Sequence, residues 1–115
     1  MSEKIRFNLL TLLDSIEKIR RYSKEASSAD DFHHDEKSFD ATMMQFVVMG
    51  ETITRIDNDF KRQHLEIPWQ DVRDFRNIIA HDYFGIDAEE IWEIIQYHLD
   101  PLEQAIRNIL EQDDS

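Results

Sequence analysis

Apolar residues recur every three or four positions along most of the chain, the spacing typical of amphipathic helices. The first such stretch predicts a helix over residues 3–26, and the second predicts a helix over residues 36–62. Between them we expect a loop at 32–35, with Asp35 as the N-cap of the second helix. Gly50 lies in the middle of that helix, where glycine costs roughly 1 kcal/mol relative to alanine. We therefore expect another helix to approach closely at this position.

Two further helices follow a short linker. Pro68 suits the first turn of a helix over residues 68–84, because the N–H that proline lacks has no partner there. Gly85 is a natural residue to end that helix, and Asp87 is a natural N-cap for the next one. The last helix is expected to bend or break near Pro101.

Length and composition fit this pattern. A chain of 115 residues is long enough for one core, and two glycines and two prolines leave few places for tight turns. The prediction is an all-α fold, an up-and-down bundle of four helices, in a single domain over residues 1–115. The acidic tail at 111–115 is expected to be frayed.

The charge narrows the classes of function. The net charge is −12, from 13 lysines and arginines against 25 aspartates and glutamates, which argues against a general binder of polyanions. The chain has no cysteine, so disulfides and thiolate metal sites are excluded. No stretch has the length and apolar character of a membrane span. We expect a cytoplasmic protein with no membrane partner.

The third helix carries the candidate chemistry. At about 100° of rotation per residue, one face is apolar and is expected to face the core: Val72, Phe75, Ile78 and Ile79. The opposite face carries two guanidinium groups, an amide, an imidazole and a phenol, which together can bind a phosphate and move a proton: Arg73, Arg76, Asn77, His81 and Tyr83. The same side chains also have purely structural interpretations. His81 could hydrogen-bond to the last carbonyls of the helix, and the arginines could be solvated or paired with a neighbour such as Asp74.

The segment at 76–83, Arg-Asn-Ile-Ile-Ala-His-Asp-Tyr, resembles the R-x4-H-x-Y motif of the HepT-like toxins of the HEPN superfamily. The similarity extends over nearly the whole chain in the expected order, at 39–41, 50–52, 67–69, 84–87, 91–96 and 99–102. It implies a HEPN-like bundle that acts as a homodimer, with paired motifs facing each other across a cleft.

The resemblance also implies an activity, a metal-independent endoribonuclease that needs no cofactor. His81 would be the general acid or base toward the RNA, and Arg76 would hold the scissile phosphate. Asn77 would orient the imidazole or the substrate, and Arg73 would assist in binding the RNA.

Tyr83 has a separate role in this resemblance. It would be AMPylated by a cognate minimal nucleotidyltransferase, the antitoxin of a type VII toxin–antitoxin system. The added phosphates would occupy the anion site and repel RNA.

Two other features have alternative interpretations. Glu51 either pairs with an arginine of the motif or is a structural carboxylate. His33 and His34 suggest metal binding, but adjacent histidines on a loop lack defined ligand geometry, so a surface loop with no metal is the prediction.

Two competing functions remain. The first is a non-catalytic HEPN module that binds a nucleotide or a protein beside a nucleotidyltransferase, which the charge of −12 fits better. The second is a purely structural helical adaptor. The presence of both Arg76 and His81 favours the enzyme.

Overall fold

The structure is a computed structural model and describes residues 1–114. This part of the chain forms seven α-helices and one 3-10 turn, so the all-helical class is confirmed. In chain order they are α1 (Glu3–Ser23), α2 (Ala29–His34), α3 (Glu36–Thr54), α4 (Asn58–Gln63), α5 (Trp69–His81), the 3-10 turn (Tyr83–Gly85), α6 (Ala88–Tyr97) and α7 (Leu99–Asp114).

The predicted count of four helices was wrong, because local capping divides the first half of the chain further. The loop expected at 32–35 is mostly helical: Ser28 caps α2 by accepting the Asp31 N–H at 3.1 Å. The long second helix is divided into α3 and α4, and Asp57 caps α4 by accepting the Asp59 N–H at 3.0 Å. Asp35 is the N-cap of α3, as predicted, and accepts the Ser38 N–H at 3.2 Å.

The second half also differs at its helix ends. The third predicted helix ends at His81 and a 3-10 turn follows, closed by a hydrogen bond of 3.1 Å from the Gly85 N–H to the Asp82 carbonyl. The break expected near Pro101 lies at His98, between α6 and α7. Asp87 is the N-cap of α6, as predicted, and accepts the Glu89 N–H at 2.9 Å.

The tail also departs from expectation. Helix α7 continues to Asp114, where the sequence predicts fraying from Glu111 onward. The last residue of that predicted tail, Ser115, lies outside the described residues.

Helix α3 is central to the packing. It contacts α1 and α5 most extensively, while α7 packs on α1, and α2 packs on α3 and α6. The side chains with the least exposure come from α1, α2, α3, α6, α7 and the linker before α5: Leu9, Leu12, Ile16, Ile19, Phe32, Met43, Met49, Ile53, Ile67, Ile91, Leu99 and Ile106. No helix among residues 1–114 is both long enough and apolar enough to cross a membrane. Since α5 packs mainly on α3 and the turn that follows it, much of its surface is left open.

Candidate functional site on α5

Helices α3 and α5 approach each other closely at Gly50, and this approach fixes the position of Arg76. A Cβ atom added at Gly50 would lie 2.4 Å from the Arg76 Cβ and 2.6 Å from its Cγ. Only glycine leaves room for the stem of Arg76 against α3. The close approach predicted at Gly50 is therefore present, and the residue that uses it is Arg76.

The next residue of α3 then binds the guanidinium. Arg76 Nε donates to Glu51 Oε1 at 2.6 Å, and Arg76 Nη2 donates to the same oxygen. Glu51 was expected either to pair with an arginine of the motif or to be a structural carboxylate, and in the structure it pairs with Arg76. Arg76 Nη1 donates to Asn77 Oδ1 at 2.7 Å. Because a guanidinium has five N–H donors, two remain available to an anion from solvent.

His81 is the last residue of α5 and is exposed. Its ring makes no hydrogen bond and no ion pair within residues 1–114. Asn77, expected to orient either this ring or the substrate, accepts from Arg76 through Oδ1. The imidazole is therefore open to a ligand from solvent.

Tyr83 was predicted to share a strip of helix surface with Arg76, and this was wrong because α5 ends at His81. Asp82 has an extended φ of −149°, and Tyr83 begins the 3-10 turn. The Tyr83 hydroxyl donates to Asp40 of α3, and its ring meets the Phe39 ring edge-on at 6.3 Å between centroids. Burial, followed by this hydrogen bond, raises the pKa of the Tyr83 phenol above its ordinary range.

The apolar face of α5 is less buried than its pattern predicts. Ile79 is buried, whereas Val72 and Phe75 are half-buried. Ile78, expected in the core, is 50% exposed. Val72, Phe75 and Ile78 line an open groove of about 370 Å³ together with residues of α3, α6 and α7.

Arg73 is exposed on α5, one turn before Arg76. It lines a second groove, of about 320 Å³, with Lys61 of α4. Sequence reasoning missed both Lys61 and Asp40, because nothing in their local patterns links them to α5; only the packing of α4 and α3 brings them there.

The two histidines considered as metal ligands lie in α2. His34 Nδ1 is 2.7 Å from the Asp30 carbonyl oxygen, and the His33 ring is 5.1 Å from the Phe39 ring. Among residues 1–114, no group of three histidine, aspartate or glutamate side chains is placed to hold a metal ion. These contacts account for both rings within the fold.

Comparison with known proteins identifies the family to which the chain belongs. The family model described as ribonuclease HepT-like matches residues 12–109. A Methanocaldococcus jannaschii protein named as a gamma-glutamylcyclotransferase and candidate RNase is 30% identical over 112 residues, covering 97% of this chain and 50% of that protein. A probable ribonuclease HepT of Thermococcus cleftensis is 34% identical over 85 residues, covering 74% of this chain and 76% of that protein. The chain thus spans half the length of the first of these relatives. No solved structure gives a significant match.

Proposed function

Because the chain belongs to the HepT-like ribonuclease family of the HEPN superfamily, we propose that it is a metal-independent endoribonuclease. The observation that carries the proposal is that α5 presents two groups to solvent, the guanidinium of Arg76, which is fixed by hydrogen bonds, and the imidazole of His81, which is exposed. Arg76 is fixed by Glu51 and Asn77 and keeps two free N–H groups. His81 ends the same helix with an exposed ring that has no hydrogen bond and no ion pair in residues 1–114.

The chemistry follows from these two groups. A neutral His81 imidazole takes the proton of a ribose 2′-hydroxyl, and the 2′-oxygen attacks the neighbouring phosphorus. The bond from phosphorus to the 5′-oxygen breaks, and the leaving oxygen takes a proton from an imidazolium. Arg76 binds the phosphate oxygens and stabilises the negative charge that grows on them. The products are a 2′,3′-cyclic phosphate and a free 5′-hydroxyl, so the protein supplies no nucleophile.

We place this site in a homodimer, with the two α5 helices on either side of one cleft. A twofold dimer supplies two His81 rings, so that one can accept a proton while the other donates one. The exposed Ile78, three residues before His81, is consistent with an α5 surface that a second copy covers.

We place the protein in the cytoplasm as the toxin of a type VII toxin–antitoxin pair, neutralised by AMPylation of Tyr83. The phenol lies in the 3-10 turn that follows α5, and a nucleotidyl chain on it adds negative charge beside Arg76 and His81. Protein made with a cognate nucleotidyltransferase should gain mass in AMP increments on the Tyr83 peptide and lose its cleavage activity. Tyr83→Phe, which lacks the acceptor oxygen, should gain no mass.

The activity is tested by incubating purified, unmodified protein with total RNA in the presence of EDTA. We expect cleavage that leaves 2′,3′-cyclic phosphate ends. His81→Ala and Arg76→Ala should each lose roughly two or more orders of magnitude in rate, with unchanged circular dichroism.

If wild-type protein and His81→Ala leave the same RNA pattern, the enzyme hypothesis is wrong. The alternative function, a non-catalytic HEPN module beside a nucleotidyltransferase, then stands, as the charge of −12 favours.

A further inference from the structure

A lysine in α4 has an ammonium group without a partner in the described part of the chain. Lys61 is only 8% exposed, so its stem is packed, and the ammonium group makes no hydrogen bond and no ion pair within residues 1–114. The ammonium nitrogen still reaches solvent, as is usual for a lysine with a packed stem. It is therefore open to an anion.

The position of Lys61 is set by the start of α5. The Trp69 indole N–H donates to the carbonyl of Lys61 at 3.2 Å and to that of His64 at 3.0 Å. These bonds hold the end of α4 against the first turn of α5. Lys61 and Arg73 both line the groove at this junction.

The groove has an excess of positive charge. Lys61 and Arg73 supply two cations, and the only carboxylate that lines it, Asp71, forms no ion pair with either of them in the described part of the chain. Burial first, and the charge of Arg73 second, lower the pKa of the Lys61 ammonium. The two cations therefore repel each other, and neither has an ion-pair partner in the described part of the chain.

The helix start adds to this charge. Pro68 gives no side-chain hydrogen bond to the first turn of α5. The Trp69 N–H donates to the Ile67 carbonyl at 2.9 Å, so the N–H groups of Gln70 and Asp71 are the ones that keep their capacity for an anion. Helix α5 has 13 residues, which is long enough for its dipole to favour negative charge at this end. The lysine, the arginine and the helix start thus face one groove.

We propose that this groove binds a phosphodiester of the RNA strand, next to the phosphate held at Arg76. The inference rests on the proposed ribonuclease function. Arg73 and Arg76 lie on neighbouring turns of one helix, about 4.5 Å apart along its axis, so a single strand can contact both. In a chain with a net charge of −12, two cations in one groove give the strand a local attraction that the whole molecule does not supply.

The test measures binding apart from cleavage. A fluorescent single-stranded RNA with 2′-O-methyl groups lacks the attacking hydroxyl and stays intact, and its anisotropy gives the affinity across a range of salt concentrations. Lys61→Met keeps the packing and removes the charge. We expect about tenfold weaker binding and a salt slope lower by about 0.7, the value for one lost phosphate contact. Arg73→Gln, an exposed position, should behave in the same way with unchanged thermal unfolding.

The matched control is Lys24→Met, since Lys24 is exposed and lines a different groove. If Lys61→Met and Lys24→Met lower the affinity and the salt slope equally, the groove is not a phosphate site. Wild-type protein that binds inorganic phosphate through Lys61, but not the modified RNA, also overturns the proposal, because the groove is then a small-anion site. A third outcome separates the two proposals. If the salt slope falls in Lys61→Met but wild-type protein cleaves no unmodified RNA, the ribonuclease function is wrong and the phosphate site in the groove is retained.

Discussion

At the scale of single residues, the hydrogen bond between Tyr83 and Asp40 joins the 3-10 turn after α5 to α3. The two residues are 43 positions apart in the chain. The phenol must stay protonated to donate to the carboxylate, and both its burial and this bond raise its pKa. The contact therefore links the stability of the fold to alkaline pH.

We predict that stability falls as the pH rises above the ordinary phenol pKa of about 10. Below that pH, Tyr83 is protonated in both the folded and the unfolded chain, and its contribution is fully present. Above it, the unfolded chain loses the proton before the folded one does, so rising pH favours unfolding. Urea unfolding at about pH 9 and about pH 11 should show a smaller loss for Tyr83→Phe than for wild type. Parallel losses in the two proteins would contradict this assignment.

At the scale of elements, the spacing between α3 and α5 decides whether Arg76 reaches Glu51. Gly50 sets that spacing, because a methyl group there would overlap the Cβ and Cγ atoms of Arg76. The Cβ atom is fixed by the backbone, so rotation of the side chain cannot remove the overlap. The helix as a whole has to move instead.

We predict that Gly50→Ala is destabilising although alanine is the better helix former. Overpacking costs roughly 1–3 kcal/mol, and the gain in helix propensity returns about 1 kcal/mol, so a net loss of about 1 kcal/mol is expected in urea unfolding. RNA cleavage should fall as well, since α5 shifts away from Glu51.

Gly85→Ala is the control for this change, because the atoms it would meet belong to the exposed carboxylate of Asp82, which can turn aside. It should unfold close to wild type. Equal stability of Gly50→Ala and wild type would show that α5 adjusts without cost.

The sequence predicts these elements well where the cause is local. The helical class, the caps at Asp35 and Asp87 and the close approach at Gly50 all follow from spacing and side-chain type. The end of α5 at His81 was missed, because apolar spacing continues past it and only the hydrogen bonds of the following turn stop the helix. The contact of Tyr83 with Asp40 depends on how α3 packs, which no local pattern contains.

At the scale of the whole molecule, the described chain measures 43 × 27 × 19 Å, and α5 packs mainly on one of the three longest helices, α3. The groove of about 370 Å³ beside it is lined largely by apolar side chains of four helices. An open apolar face of this kind beside the motif fits the homodimer that we propose.

We predict that light scattering gives twice the 13.8 kDa mass of the chain. Ile78→Glu should shift the protein to a monomer and lower the rate of RNA cleavage, because a carboxylate is costly in a covered apolar contact. It should not unfold the chain, since Ile78 is half exposed. Phe7→Glu, at a residue of α1 that is 69% exposed, is the control and should remain dimeric. A wild-type monomer at micromolar concentration would contradict the shared cleft.

The hydrogen bonds from Arg76 to Glu51 also determine when the side chain of Arg76 loses its conformational entropy. A free arginine side chain gives up as much as about 2 kcal/mol of rotamer freedom when it is immobilised. Here Nε and Nη2 are bonded to Glu51 within the folded chain, so much of that loss occurs on folding and not when RNA arrives. A lysine at this position keeps the charge, but its single ammonium nitrogen cannot bind Glu51 along one edge and a phosphate along another, as a planar guanidinium can. The site is therefore pre-organised by the shape of the guanidinium as much as by its charge.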